Sequence, residues 1–475
     1  MDKSIAVCNS VKRKIAPPDR LKRLVEDKAE EIRTAVEREC GKASLDAEVR
    51  LDGSVAKDTW IRDYVDVDIF MRVPPSLGKP ELRERCLPIA KRALQPAETV
   101  ERFAEHPYIE SLVPLPGGQL KVNVVPCYKV ERGDWLSATD RTPYHTEYIR
   151  GRITDQQRDE VRLLKAFMRG IGGYGADIKT GGFSGMLCET LVLAFGQFLN
   201  VVREFSEWKE NRYVDVENYY EGRSEEVRQI FREPLTVIDP VDKGRNLSAA
   251  VRAEQLWNFV AASRHFLRHP STSFFTESKV KPLTGAEYRG LLRVRGSAVI
   301  CLVLGRIDAV VDILWSQLYR TQRALTHLLE RNDFNVIRST AWTDEQATSV
   351  LIFELESEEL PYSRRQRGPP ATRVAESSAF LSKHLNKKST VSGPWVEGER
   401  WFVERKRPIL SARRLLTSAL KNGGSDVGVA SLLSQSFERK VRILQNDQVA
   451  LLISANEEFA RFMRRYLSGR PTWLA

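Results

Sequence analysis

The stretch GSVAKDTW (residues 53–60), followed after five residues by DVDIFM (66–71), places a Gly-Ser turn shortly before two aspartates two positions apart. Residues 47–52 alternate between apolar and charged types, which predicts a half-buried strand that ends at Gly53. Glycine allows a close backbone approach, and Ser54 with the following backbone N–H groups can hold phosphate oxygens. The turn therefore predicts a phosphate site beside the aspartates.

The two aspartates, Asp66 and Asp68, follow a strand period of two, so both side chains are expected on one face of a sheet. Carboxylates held that close repel each other. A pair of bound Mg²⁺ ions removes this repulsion, bridges nucleotide phosphates and lowers the pKa of an attacking hydroxyl. An isolated Asp-x-Asp is usually only a solvated strand face, but its distance from the Gly-Ser turn favours metal-dependent nucleotidyl transfer.

Length and composition predict a multidomain protein. The 475 residues correspond to two to four domains, with 42% apolar and 29% charged residues. The longest uncharged apolar run, 298–304, is too short to span a bilayer, and residues 1–14 have no signal-peptide character. The six cysteines form no C-x-x-C pair, which argues against a structural zinc site or a disulfide framework. We predict a cytoplasmic protein with no membrane association.

The net charge of +11 and the pI near 9.3 favour an anionic partner such as nucleic acid. Periodicity and turn residues divide the chain into four predicted domains: a catalytic head (1–150), a helical central neck (151–257), an α/β body (258–385) and a C-terminal tail region (386–475). The body is predicted from its strand, helix, strand, strand order, which is typical of RNA-binding α/β sandwiches. Residues 364–370 are predicted to be a basic linker.

Further motifs stand in order along the chain: EHPY (105–108), VVPCY (124–128), DRTPYH (140–145), RLLK (162–165), GFSGMLCE (182–189), DPVD (239–242), RN (245–246), RGPP (367–370) and GPWVEG (393–398). Together with the Gly-Ser turn and the paired aspartates, they resemble the archaeal-type, class I CCA-adding enzymes, which are tRNA nucleotidyltransferases. The resemblance covers nearly the whole chain.

The resemblance implies an α+β multidomain fold with a DNA polymerase β-like nucleotidyltransferase head, a helical neck, an RNA-recognition-like α/β body and a helical tail. It implies untemplated addition of C, C and A to the 3′ end of tRNA from CTP and ATP, with Mg²⁺. Carried over by position, Asp66 and Asp68 would bind the metal ions. The nucleotide-binding residues would be Gly53 and Ser54 at the turn, Lys57, His145, Lys165 and Tyr174 for the triphosphate and sugar, and Thr142 and Arg245 for the base.

Each of these assignments has a simpler alternative. Lys165 could be a solvated charge on a helix, Tyr174 a loop anchor and His145 a core histidine. Two rival functions also stay open. One is another nucleotidyltransferase of the same superfamily, such as a poly(A) polymerase or a cyclic-oligonucleotide synthase. The other is a non-catalytic tRNA-binding relative. A homodimer is one oligomeric state that we consider.

The departure from the family pattern is Asn123, where the resemblance implies a third catalytic carboxylate on the strand before VVPCY. An amide is a weak Mg²⁺ ligand and a poor proton acceptor, so we expect turnover to be lower by on the order of a hundredfold or more. Because asparagine is nearly isosteric with aspartate, we favour an inactivating substitution in an active enzyme over a naturally inactive relative.

Overall fold

A computed structural model of the chain describes residues 3–474 except 104–105, 211, 278–279 and 440. Glu105, part of the EHPY motif, lies outside the described residues. The chain divides into two compact units, Met1–Lys279 with Arg470–Ala475, and Val280–Gly469. The four-domain division is finer than these two units and stays a prediction.

The first unit begins with helices and then builds a sheet. Its helices are α1 (Lys3–Ile15), α2 (Asp19–Lys42), α3 (Gly53–Ala56), α4 (Lys79–Glu81), α5 (Leu87–Ala93), α6 (Thr142–Arg152), α7 (Asp155–Gly170), α8 (Gly185–Phe195), α9 (Phe198–Ser206), α10 (Ser224–Ile230) and α11 (Ala253–Arg268). Its strands are β1 (Glu48–Asp52), β2 (Asp66–Val73), β3 (Thr99–Phe103), β4 (Pro107–Leu115), β5 (Gly118–Tyr128), β6 (Tyr213–Val214), β7 (Thr236–Asp239) and β8 (Asp242–Asn246).

The head sheet has the strand order β1-β2-β5-β4-β3. Strand β2 runs antiparallel to β1 and parallel to β5. Val67, Ile69, Val122 and Val124 are fully buried on the face that helix α2 covers. The alternation that buries these residues leaves the acidic residues of β2 on the opposite face.

The rest of the first unit is mainly helical, as predicted, around an aromatic core that includes Phe167, Phe198 and Phe266. Helix α7 begins where Thr154 caps its first turn, since the Thr154 hydroxyl accepts a hydrogen bond from the backbone N–H of Gln157 at 3.3 Å. The sheet β6-β7-β8 was not predicted, because its strands are only two to five residues long and β8 carries three charged residues.

The second unit contains helices α12 (Gly285–Arg295), α13 (Val311–Arg331), α14 (Val374–His384), α15 (Ala412–Leu420), α16 (Ser431–Arg439), α17 (Val449–Ala455) and α18 (Glu457–Ser468). Its strands are β9 (Ala298–Leu304), β10 (Val336–Thr343), β11 (Ser349–Leu355), β12 (Ser363–Pro370), β13 (Thr390–Glu397), β14 (Arg400–Lys406) and β15 (Arg442–Gln445).

The predicted strand, helix, strand, strand order of the body is confirmed by β9, α13, β10 and β11. These strands form the sheet β10-β11-β9-β15, to which the tail region contributes β15. The predicted linker at 364–370 is wrong. It is strand β12, which pairs with β14 from Ser363 to Arg367 and again at Pro370 after a bulge, because the partner strand supplies hydrogen-bond partners for the backbone of this segment.

Among the described residues, no single helix has the length and apolar character needed to cross a membrane. Helices α8 and α9 reach that threshold only as a pair, with a bend of 91° between them.

Candidate active site

The polar face of the head sheet brings three of the predicted residues together. Asp68 lies opposite Asn123 across the β2–β5 pair, and Asn123 Nδ2 donates a hydrogen bond of 2.9 Å to Asp68 Oδ1. Asp66 lies two residues earlier and is exposed. Burial raises the pKa of Asp68 to about 6, the Asn123 hydrogen bond opposes this rise, and the charge of Asp66 adds to it. The arrangement is an acidic face on which burial and the neighbouring carboxylate of Asp66 favour the protonated form of Asp68.

Gly53 of the turn lies against the Asp68 side chain. Its φ of +74° lies in the left-handed region, and a Cβ atom added here would lie 2.2 Å from Asp68 Oδ2. Its backbone N–H donates to Thr146 Oγ1 at 3.3 Å, which fixes the start of α3 against α6. Only glycine fits between the turn and Asp68.

We expect Gly53→Ala to lower nucleotidyl transfer by on the order of a hundredfold, because the new methyl group displaces the Asp68 carboxylate. Gly222→Ala is the matched control, since Gly222 has a similar φ of +70° but no atom within 4 Å of its added Cβ. Both substitutions strain the backbone, because alanine disfavours a positive φ, but only the Gly53→Ala methyl group contacts the Asp68 carboxylate. Equal activity of the two variants in a transfer assay would contradict this role for Gly53.

A pocket beside the acidic face collects four predicted residues: Ser54, Asp66, Lys165 and Tyr174. Gly185 leaves space where two of them converge, since its added Cβ would lie 3.2 Å from Tyr174 Oη and 3.5 Å from Lys165 Nζ. Arg169 also lines this pocket, with its guanidinium 5.2 Å from the centre of the Tyr174 ring. The pocket thus places cations and a phenol next to a carboxylate.

Glu189, a fully buried carboxylate on α8, forms ion pairs with both predicted lysines, Lys57 and Lys165. Glu189 Oε2 accepts from Lys57 Nζ at 2.6 Å, and Glu189 Oε1 accepts from Lys165 Nζ at 2.9 Å and from Thr59 Oγ1 at 2.6 Å. Burial opposes ionisation of Glu189, but the charges of Lys165 and Lys57 outweigh it and lower its pKa to about 2. Lys165 is therefore a positioned charge, and the alternative of a solvated helix face is wrong.

A second pocket brings together the remaining predicted residues Thr142, His145 and Arg245. Asp239 joins two of them, because it lies 2.9 Å from His145 Nε2 and accepts from Arg245 Nη1 at 2.7 Å. Burial lowers the pKa of His145, although its contact with Asp239 opposes this. Arg245 keeps 38% of its side chain exposed, so part of its donor fork faces the pocket.

Glu189 and Asp239 were not predicted as functional residues, although they lie within the motifs GFSGMLCE and DPVD. For Glu189 the available signal was a carboxylate in a motif that otherwise carries only apolar residues or turn residues. A buried carboxylate without a partner is costly, so such a residue predicts a cation nearby. The cations that these two carboxylates contact, Lys165 and Arg245, were among the predicted residues.

The donor atoms of the acidic face fit a divalent cation. Within the described part of the chain, no group of three or more His, Cys, Asp or Glu side chains could hold a metal ion. The face offers two carboxylates, Asp66 and Asp68, and the oxygen of Asn123, which is buried and has no hydrogen-bond partner among the described residues. Carboxylate oxygens suit Mg²⁺, and the amide oxygen is a weaker ligand for it. The site therefore fits such an ion, but it carries one negative charge fewer than the family pattern implies, because Asn123 replaces a carboxylate.

Three family models match the chain in order: a nucleotidyltransferase domain over residues 29–149, the second domain of tRNA nucleotidyltransferase over 159–276, and the C-terminal domain of CCA-adding enzyme over 295–446. The CCA-adding enzyme of Methanothermobacter thermautotrophicus is 34% identical over 89% of this chain and 89% of its own length. The chain belongs to the CCA-adding enzymes. Its head is accordingly a nucleotidyltransferase domain, and the α+β multidomain fold class is confirmed.

Other CCA-adding enzymes match over almost the full length. Those of Methanosarcina acetivorans and Methanopyrus kandleri are 32% and 33% identical over 98% of this chain, covering 98% and 97% of their own lengths. Among solved structures, a cytoplasmic RNA terminal U-transferase shares 12% identity at a TM-score of 0.44, covering 59% of this chain and 100% of its own. The structure of CdnC of E. coli MS115-1 with ATP shares 16% sequence identity at a TM-score of 0.43, and the match covers 57% of this chain and 94% of CdnC.

Proposed function

We propose that this chain adds C, C and A to the 3′ end of tRNA, taking CTP and ATP as substrates and Mg²⁺ as the metal. The observation that carries the proposal is the grouping of Ser54, Asp66, Lys165 and Tyr174 around one pocket beside the Asp68 carboxylate. These side chains combine metal ligands with donors for an anionic triphosphate. Family membership supplies tRNA as the acceptor.

In this proposal the acidic face holds the metal ion through Asp66, Asp68 and the amide oxygen of Asn123. When bound, the ion would supply charge stabilisation while the tRNA 3′-hydroxyl attacks the α-phosphate in line, the bond to the β-phosphate breaks and pyrophosphate leaves. Lys165 adds a fixed positive charge for the triphosphate, since Glu189 holds its ammonium in place. Binding and orientation of the substrates then account for the remaining catalysis.

Base selection is assigned to the pocket of Thr142, His145 and Arg245. Arg245 presents a planar fork of donors, one of which is fixed by Asp239 while others stay exposed. A hydroxyl at Thr142 adds a group that can both donate and accept. These groups suit the hydrogen-bonding edge of cytosine or adenine.

We expect Arg245→Lys to lower kcat/KM for both CTP and ATP by about tenfold or more, because lysine retains the charge but loses the planar fork. Arg228→Lys is the matched control, since Arg228 is an exposed arginine of α10 with its own partner, Glu225, at 2.6 Å. Steady-state incorporation of CMP and AMP gives kcat/KM for each variant. If Arg245→Lys lowers kcat/KM no more than Arg228→Lys does, Arg245 does not contact the base.

The activity itself is tested by incubating tRNA that lacks its 3′ CCA with labelled CTP and ATP. Three added residues support the proposal, whereas long tails would favour a poly(A) polymerase and a cyclic dinucleotide would favour a cyclic-oligonucleotide synthase. Tight tRNA binding without transfer, even in the Asn123→Asp variant, would favour the non-catalytic relative. The homodimer stays a prediction, which sedimentation equilibrium tests.

A further inference from the structure

Glu110 lies in one row with the residues of the acidic face. In the head sheet, Asp68 is paired with Asn123 across β2 and β5, and Asn123 is paired with Glu110 across β5 and β4. Directly paired residues of neighbouring strands point to the same face, with their Cβ atoms about 5 Å apart. The row therefore carries carboxylates at both ends and an uncharged amide in the middle.

Two cations hold the Glu110 carboxylate. Arg102 donates from Nη2 at 2.8 Å and from Nε at 3.0 Å to Glu110 Oε1, and Lys121 Nζ lies 3.2 Å from Glu110 Oε2. The same ammonium lies 3.9 Å from Asp66 Oδ2, so the Asp66 and Glu110 oxygens are at most about 7 Å apart. This separation is inside the Debye length of about 8 Å at physiological ionic strength.

Burial opposes ionisation of Glu110, but Arg102 and Lys121 outweigh it and keep the pKa of the carboxyl below its usual range. Glu110 is therefore ionised, and its negative charge offsets part of the positive charge that Arg102 and Lys121 bring to the metal-binding face. An alternative is that Glu110 only forms ion pairs that stabilise the edge of the sheet. The electrostatic role depends on whether residue 123 carries a charge, whereas the role in sheet stability does not.

We propose that Glu110 is a positioning residue that supplies, from the neighbouring strand, the negative charge that Asn123 does not bring to the bound divalent cation. The inference rests on the proposed function, because it concerns the same metal site. Glu110 acts through its field and through solvent, and the direct ligands remain those on β2 and β5. Its importance should therefore fall when a carboxylate is restored at position 123.

The test is a double-mutant cycle on the full chain, read by Mn²⁺ binding in electron paramagnetic resonance and by CMP transfer. We expect Glu110→Gln to weaken Mn²⁺ binding by about tenfold in the natural background and by less than about threefold when combined with Asn123→Asp. Glu101→Gln is the matched control, since Glu101 pairs with Arg83 at 3.0 Å on the other face of the head sheet. It should leave Mn²⁺ binding unchanged.

The outcomes separate the inference from the function on which it rests. Equal weakening in both backgrounds, or no weakening in either, would overturn the role of Glu110 while the proposed function stands. Weakening by Glu101→Gln of the same size would also overturn it, because any carboxylate of the sheet would then suffice. A chain that neither binds Mn²⁺ nor transfers nucleotide, with and without Asn123→Asp, would contradict the proposed function and the inference together.

Discussion

Replacing Asn123 by aspartate is expected to raise CMP and AMP transfer by on the order of a hundredfold or more. The position is already correct, because Asn123 lies opposite Asp68 and its side chain contacts Asp68 Oδ1 at 2.9 Å. The substitution changes charge without changing shape. It also converts the donor Nδ2 into an acceptor, which removes the hydrogen bond that holds the pair together without a metal ion.

The loss of this hydrogen bond couples the effect to the cation. Two adjacent carboxylates repel each other, whereas a divalent ion between them is attracted to both. We therefore expect the Asn123→Asp variant to gain thermal stability from added Mg²⁺ more strongly than the natural chain. A gain in transfer rate without any gain in metal response would indicate that the new carboxylate acts on the 3′-hydroxyl proton instead.

The measurement is single-turnover transfer of labelled nucleotide to tRNA lacking its 3′ end, at saturating Mg²⁺. Asn9→Asp is the control, because Asn9 makes the same chemical change on the exposed surface of α1. It should leave the rate unchanged. If the natural chain and the Asn123→Asp variant transfer at the same rate, position 123 does not carry the role that the family pattern implies.

The sequence predicted the parts of the site that follow from local periodicity. The alternation around Asp66 and Asp68 defined the strand and its acidic face, and the valines flanking Asn123 placed its side chain on the same face. Strands β3 and β4 were missed, because prolines and charged residues interrupt their pattern. The pairing of Asn123 with Glu110 depends on β4, so the row of acidic residues could not be predicted from the sequence.

Contacts between distant elements were the other limit. Glu189 follows Lys57 by 132 residues and Thr59 by 130, and nothing in the local pattern of α8 indicates which charges it meets. The structure adds a feature of the two predicted lysines that the sequence did not show. They share one buried carboxylate, which fixes their ammonium groups relative to each other.

Replacing Glu189 by glutamine is expected to destabilise the first unit by about 3–5 kcal/mol, because it leaves Lys57 and Lys165 buried without their counter-charge. Glutamine is nearly isosteric, so the loss reports charge and not packing. Nucleotide transfer should fall as well, since Lys57 and Lys165 then lose the charged partner that they share. Urea unfolding of the full chain, followed by tryptophan fluorescence, measures the change in stability.

Glu147→Gln is the control, because Glu147 pairs with Arg50 at 2.6 Å but is 58% exposed. This substitution should lower the free energy of unfolding by about 1 kcal/mol or less.

The pH dependence separates the charge of Glu189 from any packing effect. Its pKa is about 2 in the folded chain, against an ordinary value of 4.5, so the unfolded chain binds the proton more readily. The stabilisation by Glu189 is therefore complete above about pH 4.5 and is lost as the pH falls toward 2. The glutamine variant has no proton to gain at this position, so its stability deficit relative to the natural chain should shrink across that window. A deficit that stays constant with pH would mean that packing, not charge, holds the two lysines in place.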